Sequence, residues 1–192
     1  MRLWIDLERT LVWLLWLGWA AYWFVAARHS AANQRIESWR TGFSYRILLL
    51  FGIVLLAFSR RPRTSAGYHL WSSTALTLTA GLFLIAIGLG FAVWARRHLG
   101  KYWSGRITLK VDHRLIQSGP YAWVRHPIYS GLLLALLGTV ITIGTLQACI
   151  GVAIIFVAVV RKMALEEQWM AAQFGNEYEN YRRRVNALIP RR

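Results

Sequence analysis

One of the most apolar runs in the chain, IYSGLLLALLGTVITIGTLQACIGVAIIFVAVV (Ile128–Val160), decides how the chain folds. It contains no charged residue over 33 positions. As one straight helix it would be about 50 Å long, whereas the hydrocarbon core of a bilayer is roughly 30 Å thick. The segment Thr142–Gln147 near its centre is polar and contains a glycine. The run is therefore predicted to form a tight helical hairpin that crosses the membrane twice.

Three further apolar windows precede this hairpin: Leu11–Ala27, Phe43–Phe58 and Leu70–Ala95. Each approaches the length of about 20 apolar residues that a membrane-spanning helix needs. The chain has 192 residues, and 56% of them are hydrophobic, which is too apolar for a soluble domain. The sequence predicts an all-α integral membrane protein, residues 1–192 forming a single membrane domain of about five transmembrane helices.

The basic residues are distributed unevenly between the two sides that this topology defines. With five helices, 18 of the 23 Lys and Arg residues fall on the side that holds the C-terminus. Cytoplasmic loops carry an excess of Lys and Arg, so the N-terminus is predicted outside and the C-terminus in the cytoplasm. This topology already explains the net charge of +15, and no nucleic-acid partner is expected.

A hairpin returns the chain to the membrane face that it left, which brings two groups of polar residues together. Arg125, His126 and Tyr129 stand at the start of its first arm, and Glu166 and Glu167 follow its second arm. Charged groups at the membrane interface are costly unless they are paired. The residues alone leave two interpretations at about even odds: a catalytic site, or a structural cluster that anchors the helices.

The residues on either side of this cluster suggest how it is framed. Pro127 disfavours helix at the preceding residue, so the Arg125–His126 pair is predicted to be extended just before a helix begins. After the hairpin, apolar residues with helical spacing, a break at Gly175 and then Tyr178 and Tyr181 predict C-terminal amphipathic helices. Four tryptophans near the N-terminus share one helical face, a pattern more typical of packing or of an aromatic belt than of a ligand site: Trp13, Trp16, Trp19 and Trp23.

Three segments, LGKYWSG (Leu99–Gly105), HRLIQSGPYAWVRHPIYSG (His113–Gly131) and EEQWMAAQFGNEYENYRRRVNALIP (Glu166–Pro190), resemble the isoprenylcysteine carboxyl methyltransferase family. The phospholipid N-methyltransferases share much of this pattern. The resemblance covers residues 91–190, which would form the methyltransferase-like half, and residues 1–90 resemble the family only as apolar N-terminal helices. RHPxYxG followed by EE and FGxEYxxY around a hairpin is a specific combination.

The resemblance implies S-adenosylmethionine as the cofactor, bound by a cytoplasmic loop at the ends of the last helices. Glu167 and Arg125 would be catalytic, with Glu167 facing the methyl-transfer region, and Tyr178 and Tyr181 would contact the substrate or close the pocket. No metal is implied. The cofactor-binding residues carried over from the family pattern would be His113, Leu115, Ile116, Gly119, Tyr121, His126, Pro127, Tyr129 and Glu166.

The implied reaction is methyl transfer to a lipophilic acceptor, most like a prenylcysteine-type carboxylate. The acceptor would be a lipophilic small molecule or a lipidated substrate reached from the membrane lipids. A phospholipid or other lipid amine N-methyltransferase is the main alternative, and a thiol acceptor also stays open. An NADPH-dependent membrane reductase and a non-enzymatic membrane subunit are further alternatives. The oligomeric state is not predicted.

Overall fold

Helices make up most of the computed structural model, which describes residues 2–28, 33–59, 68–104, 108–110 and 114–191. Four described helices are long and apolar enough to cross a membrane, and a fifth apolar helix of 17 residues is shorter. The membrane-spanning part of the chain is thus all-helical, as predicted. The α-helices are α1 (Arg2–Ala27), α2 (Trp39–Phe58), α3 (Ala75–Leu99), α4 (Pro127–Ile143), α5 (Leu146–Phe174) and α6 (Asn176–Arg184).

The apolar run from Ile128 to Val160 forms the helical hairpin of α4 and α5. Helix α4 ends at Gly144, whose φ of 70° lies in the left-handed region that glycine adopts without strain. Thr145 then caps α5, because its hydroxyl oxygen accepts a hydrogen bond from the Ala148 N–H at 3.2 Å. A two-residue connection therefore reverses the chain at the position that the sequence predicts.

Contacts outside the helices place the connecting segments at two opposite ends of the bundle. The Leu70 N–H donates to the Gly144 carbonyl at 2.8 Å, so the segment before α3 lies at the hairpin turn. At the other end, β1 (Asn33–Ile36) pairs antiparallel with β2 (Thr108–Lys110). This two-stranded ribbon joins the α1–α2 connection to the α3–α4 connection. Helices α1 to α5 thus alternate in direction, as five consecutive crossings require.

Two elements differ in detail from the prediction. Helix α3 begins at Ala75 rather than near Leu70, because Thr74 and Thr77 form a reciprocal capping box at its start. Helix α5 continues without interruption to Phe174, so residues 165–174 extend a membrane helix instead of forming a separate amphipathic one. Helix α6 is the separate C-terminal helix. Of the two strands, only Thr108–Lys110 lies in a stretch whose residues alternate between polar and apolar.

Glycines allow the helices of the bundle to approach one another closely. On α3, Gly81 and Gly88 are seven residues apart, and they face Gly138 and Gly131 on the antiparallel α4. A Cβ at Gly81 would lie 2.6 Å from the Gly138 carbonyl oxygen, well inside van der Waals contact. Small residues at such crossings let backbones pack tightly in the absence of a hydrophobic drive between helices in lipid.

Buried apolar side chains fill the space around these crossings. One cluster joins α1, α3 and α4 through Val12, Ile85, Leu89 and Ala135. A second joins α4 to α5 through Leu136, Ile155, Val159 and Met163. Because these clusters fix α4 and α5 against the N-terminal helices, they also fix the polar residues at the ends of α4 and α5.

Replacing Gly88 with alanine is expected to destabilise the bundle by about 1–3 kcal/mol, because overpacking displaces backbone. A Cβ at Gly88 would lie 2.6 Å from the Ala135 nitrogen of α4. Gly90→Ala on the same helix is the matched control, since a Cβ there meets nothing within 4 Å. Thermal unfolding in detergent measures both variants. Equal melting temperatures for the two would show that the α3–α4 crossing does not depend on this close approach.

Candidate functional site

The turn that precedes α4 presents Arg125 and His126 at the end of the bundle. A short 3-10 helix, Gly119–Ala122, leads into it, and Pro127 occupies the first position of α4. The backbone N–H groups of Arg125 and His126 donate to the carbonyls of Asn186 and Ala187 at 2.8 and 3.0 Å. The C-terminal segment after α6 thus fixes the backbone of Arg125 and His126 through these two hydrogen bonds.

Arg125 and Glu167 form a partly buried ion pair between the turn and α5. The Arg125 Nε and Nη2 both donate to Glu167 Oε1, at 2.9 and 2.7 Å, and Nη1 donates to the Val185 carbonyl. His126 Nε2 lies 3.1 Å from the same carboxylate oxygen. One carboxylate therefore fixes the orientation of both basic side chains, which charge-assisted hydrogen bonds do strongly.

Glu166, the neighbouring carboxylate, has different partners. The Tyr129 hydroxyl donates to Glu166 Oε1 at 2.7 Å, and Lys162 Nζ lies 3.8 Å from the same oxygen. His126 Nδ1 lies 3.7 Å from Glu166 Oε2, so the imidazole stands between the two glutamates. The two adjacent carboxylates thus belong to separate sets of contacts that meet at His126.

Two tyrosines of α6, Tyr178 and Tyr181, are buried against the turn. The Tyr181 hydroxyl donates to the Tyr121 carbonyl at 2.6 Å, and the rings of Tyr178 and Tyr181 lie edge to face. Burial raises the pKa of Tyr181 to about 12 and raises the pKa of Tyr178 as well. Both phenols are therefore neutral hydrogen-bond donors at any physiological pH.

The raised pKa of Tyr181 predicts a stability loss in alkali. The folded state favours the neutral phenol of Tyr181. Its contribution to the free energy of unfolding is therefore complete below pH 10 and is lost as the pH rises towards 12. Tyr181→Phe should show a smaller fall in melting temperature across this pH interval than the wild type. Tyr68→Phe, at a residue that is 80% exposed, is the control. Identical curves for Tyr181→Phe and the wild type would contradict the linkage.

A cavity of about 460 Å³ lies between these residues and the membrane helices. Its polar end is lined by charged, hydroxyl-bearing and aromatic side chains from the loop before α4, the α4 turn, α5 and α6, including Arg114, Tyr121, Arg125, His126, Glu166, Tyr178 and Tyr181. Its apolar end is lined by α1, α2, α4 and α5, with Trp16, Leu49, Ile53, Leu132, Leu136 and Ile155 among the residues. Such a volume is typical of small-molecule sites.

The structure brings most of the sequence-predicted site residues to this cavity. Those that line it are Leu115, Ile116, Tyr121, Arg125, His126, Pro127, Tyr129, Glu166, Tyr178 and Tyr181. Glu167 stands outside the lining and contacts Arg125 and His126 instead. Gly119 also stands outside it: its φ is 59°, and a Cβ there would meet the His98 ring at 2.7 Å. His113 lies outside the described residues.

Sequence reasoning missed the contribution of the first two helices. Trp16, Trp19 and Trp23 of α1 line the cavity, whereas their pattern was attributed to packing or to an aromatic belt. Their spacing of three and four residues was the available signal, because it places them on one helical face. The fourth tryptophan of that pattern, Trp13, lies outside the lining and is 50% exposed.

The polar end of the cavity offers groups that suit a charged organic cofactor. Arg125 can pair with a carboxylate, and Glu166 can accept from hydroxyl or ammonium groups. The Tyr121, Tyr178 and Trp103 rings provide faces for an aromatic base or a cation. Among the described residues, no group of three His, Cys, Asp or Glu side chains could hold a metal ion.

Comparison with known proteins identifies the family. The model of the isoprenylcysteine carboxyl methyltransferase family matches residues 79–172. A methanethiol S-methyltransferase of Mycobacterium tuberculosis is 30% identical over 194 residues, covering 86% of this chain and 73% of that protein. The chain therefore belongs to the isoprenylcysteine carboxyl methyltransferase family.

Two further similarities cover a smaller share of the other protein. A protein-S-isoprenylcysteine O-methyltransferase of Schizosaccharomyces pombe is 30% identical over 115 residues, which are 58% of this chain and 49% of that protein. The solved structure of a eukaryotic intramembrane Ras methyltransferase superposes with a TM-score of 0.52 at 22% identity, covering 78% of this chain and 50% of that chain. This likeness shows a shared membrane fold. The chain spans about half the length of both proteins.

Proposed function

We propose that this chain is a membrane-embedded methyltransferase that uses S-adenosylmethionine and methylates a lipophilic acceptor, most like a prenylcysteine-type carboxylate. The observation that carries the proposal is the cavity with two unlike ends. Its polar end suits a charged donor, and its apolar end, inside the helix bundle, suits a hydrocarbon chain. Family membership supports the same chemistry.

The residues fit S-adenosylmethionine by the chemistry of their side chains. When bound, this cofactor supplies a methyl group on a positively charged sulfonium. Arg125, His126 and the N-terminus of α4 would bind its carboxylate, because helix N-termini and cations favour anions. Glu166 and the surrounding tyrosine rings would face its positive or hydroxyl groups. Leu115 and Ile116 would contact the rest of the molecule through backbone and edge contacts.

Within this proposal the two glutamates act differently. Glu166 lines the cavity and would touch the cofactor directly. Glu167 would act through Arg125 and His126, whose side chains it orients, and so would be a positioning residue. For an amine acceptor a base would be needed to remove the proton. The family pattern would give this role to Glu167, which stands outside the cavity lining and would have to reach the proton through His126. Tyr178 and Tyr181 would close the polar end.

The apolar end of the cavity would exclude water from the transfer. A carboxylate acceptor that meets a sulfonium loses charge as the methyl moves, and a water-poor site favours such a step. The acceptor must also lie in line with the methyl group, about 3–3.5 Å away, so positioning is the main task of the protein. The tryptophans of α1 and the leucines of α4 would supply this positioning through packing.

A small thiol is the second candidate acceptor. The Mycobacterium tuberculosis protein named methanethiol S-methyltransferase matches this chain over 73% of its own length, against 49% for the Schizosaccharomyces pombe protein. The size of the apolar end argues for a larger acceptor than methanethiol, because the linings of α1, α2, α4 and α5 all contribute to it.

Methyl transfer from tritiated S-adenosylmethionine to three acceptors tests the proposal. The acceptors are N-acetyl-S-farnesylcysteine, a short alkyl thiol and phosphatidylethanolamine, each added to purified protein in detergent. Label in a base-labile methyl ester of the farnesylcysteine is the expected result. Label in the thiol or the amine alone would select that acceptor class instead, and label in none would overturn the proposal.

The orientation proposed for the chain places the N-terminus outside and the C-terminus in the cytoplasm. It rests on the excess of Lys and Arg at the end of the bundle that carries the cavity's polar end. The cofactor site would then face the cytoplasm. A C-terminal fusion to a reporter that is active only in the cytoplasm should be active, and an inactive fusion would reverse the orientation.

A further inference from the structure

The apolar end of the cavity stops at a defined depth. On α4, its lining residues begin at the N-terminus with Pro127 and extend to Leu136. Nine residues of helix correspond to about 14 Å, close to half the roughly 30 Å thickness of a hydrocarbon core. The cavity therefore ends near the middle of the membrane, at the level where Trp16 of α1 and Ile155 of α5 also line it.

Trp16 is held across this end of the cavity by a hydrogen bond. Its indole Nε1 donates to the hydroxyl of Thr139 on α4 at 3.1 Å. Thr139 is 3% exposed, and its own hydroxyl donates to the Ala135 carbonyl at 2.9 Å, which fixes the acceptor oxygen. Thr139 lies one helical turn beyond Leu136, just past the last lining residue of α4. The indole thus spans the gap between α1 and α4 in a fixed orientation.

Neighbouring side chains prevent the indole from turning away. The Trp19 ring packs edge to face on Trp16 with 5.8 Å between ring centroids. The Trp16 side chain also packs against both apolar clusters of the bundle. Because protein interiors are closely packed, a ring held on several sides is a fixed wall rather than a flexible one.

We infer that the Trp16 indole closes the end of the acceptor site that lies deepest in the membrane, here called the floor. It thereby sets the length of hydrocarbon chain that the site accepts. This inference rests on the proposed function, because it assumes that the methyl acceptor carries one hydrocarbon chain, which enters the cavity from its polar end. Trp16 lies in α1, before the residues 79–172 that match the family. The N-terminal helices would therefore supply the chain-length specificity, and the family-matched part would supply the cofactor site.

Chain-length profiles of the wild type and Trp16→Ala test the inference. Binding of N-acetyl-S-geranyl-, S-farnesyl- and S-geranylgeranylcysteine is measured by calorimetry, and turnover is measured in parallel. In the wild type, the geranylgeranyl compound should bind about tenfold more weakly than the farnesyl compound. Its chain is longer than the cavity and must bend or displace packed side chains. Trp16→Ala should remove this difference, because it should improve the binding of the geranylgeranyl compound by a similar factor.

Two further variants distinguish a specific effect on chain length from a general loss of structure. Thr139→Val removes the hydroxyl at nearly constant volume and should shift the profile in the same direction as Trp16→Ala, by a smaller factor. Trp13→Ala, one turn earlier on α1 and outside the lining, should keep the wild-type profile. An unchanged profile in both Trp16→Ala and Thr139→Val would overturn the inference, as would a wild type that binds no chain.

The two readouts distinguish the inference from the proposed function. If the wild type binds the acceptors with a chain-length limit but transfers no methyl group, the proposed reaction fails, and the binding profile still tests Trp16. If the wild type methylates all three acceptors equally well, the reaction stands and the floor is excluded.

Discussion

Glu167→Gln is expected to lower methyl transfer by about a hundredfold while the protein stays folded, because small displacements of positioned groups cost about that much. The change leaves an amide where Arg125 and His126 now share one carboxylate oxygen. The amide oxygen can still accept a hydrogen bond, but it carries no negative charge, so the charge-assisted bonds that orient Arg125 and His126 at the cavity weaken. Initial rates with saturating acceptor measure the loss.

Glu179→Gln is the matched control for this prediction. Glu179 lies on α6, is exposed and pairs with Arg182 at 3.5 Å, so its loss should leave the rate within a factor of two or so, as for most exposed ion pairs. A melting temperature close to the wild type would show that Glu167→Gln is folded. Wild-type turnover in the folded Glu167 variant would remove that residue from the mechanism.

Glu166→Gln is expected to weaken S-adenosylmethionine binding by about tenfold or more, since a charged hydrogen bond contributes more than a neutral one. The variant keeps the size of the side chain but removes the negative charge that lines the cavity. Tyr129→Phe should have a smaller effect, because it removes one hydrogen bond to Glu166 and leaves the charge. Calorimetric titration measures both affinities.

Glu177→Gln is the control for Glu166, because Glu177 is exposed and its carboxylate accepts from Gln117 outside the cavity. Its affinity for the cofactor should match that of the wild type. If Glu166→Gln binds the cofactor as tightly as the wild type does, Glu166 does not contact it. The weakening in Glu166→Gln should appear mainly in affinity, whereas the loss in Glu167→Gln should appear mainly in turnover.

The hairpin could be predicted because one property of the sequence determines it. An uncharged run of 33 residues is too long for one crossing, and the polar centre with Gly144 offers a break near its middle. Pro127 likewise predicts that His126 stays outside the helix, as it does. The extended conformation predicted for the pair is wrong in detail, because the ψ of 60° at His126 lies outside the extended region. Both features depend on local sterics and on the length of a helix relative to the bilayer, and neither requires knowledge of tertiary contacts.

The roles of the two adjacent glutamates could not be separated in the same way. Neighbours on a helix with 3.6 residues per turn point about 100° apart, so only one of them can face the cavity. Which one does so depends on the rotation of α5 against α4, and that rotation is set by packing around Leu136, Ile155 and Val159. The uninterrupted length of α5 likewise depends on tertiary contacts.

Contacts between distant parts of the chain account for the other differences. Trp16 and Thr139 are 123 residues apart, and the periodicity of α1 shows that its tryptophans share a face without showing what that face meets. The Asn33–Ile36 strand has no strong sequence signal of its own and forms through pairing with Thr108–Lys110. The hydrogen bonds from the Arg125 turn to Asn186 and Ala187 are of the same kind.

The central claim is that the polar end of the cavity binds S-adenosylmethionine, and calorimetric titration of this compound into the purified protein in detergent tests it most directly. NADPH titrated in parallel covers the reductase alternative, and His126→Ala tests the location. The account predicts saturable S-adenosylmethionine binding, several-fold weaker in His126→Ala, and no binding of NADPH. Binding of NADPH alone, or of neither compound, would contradict it.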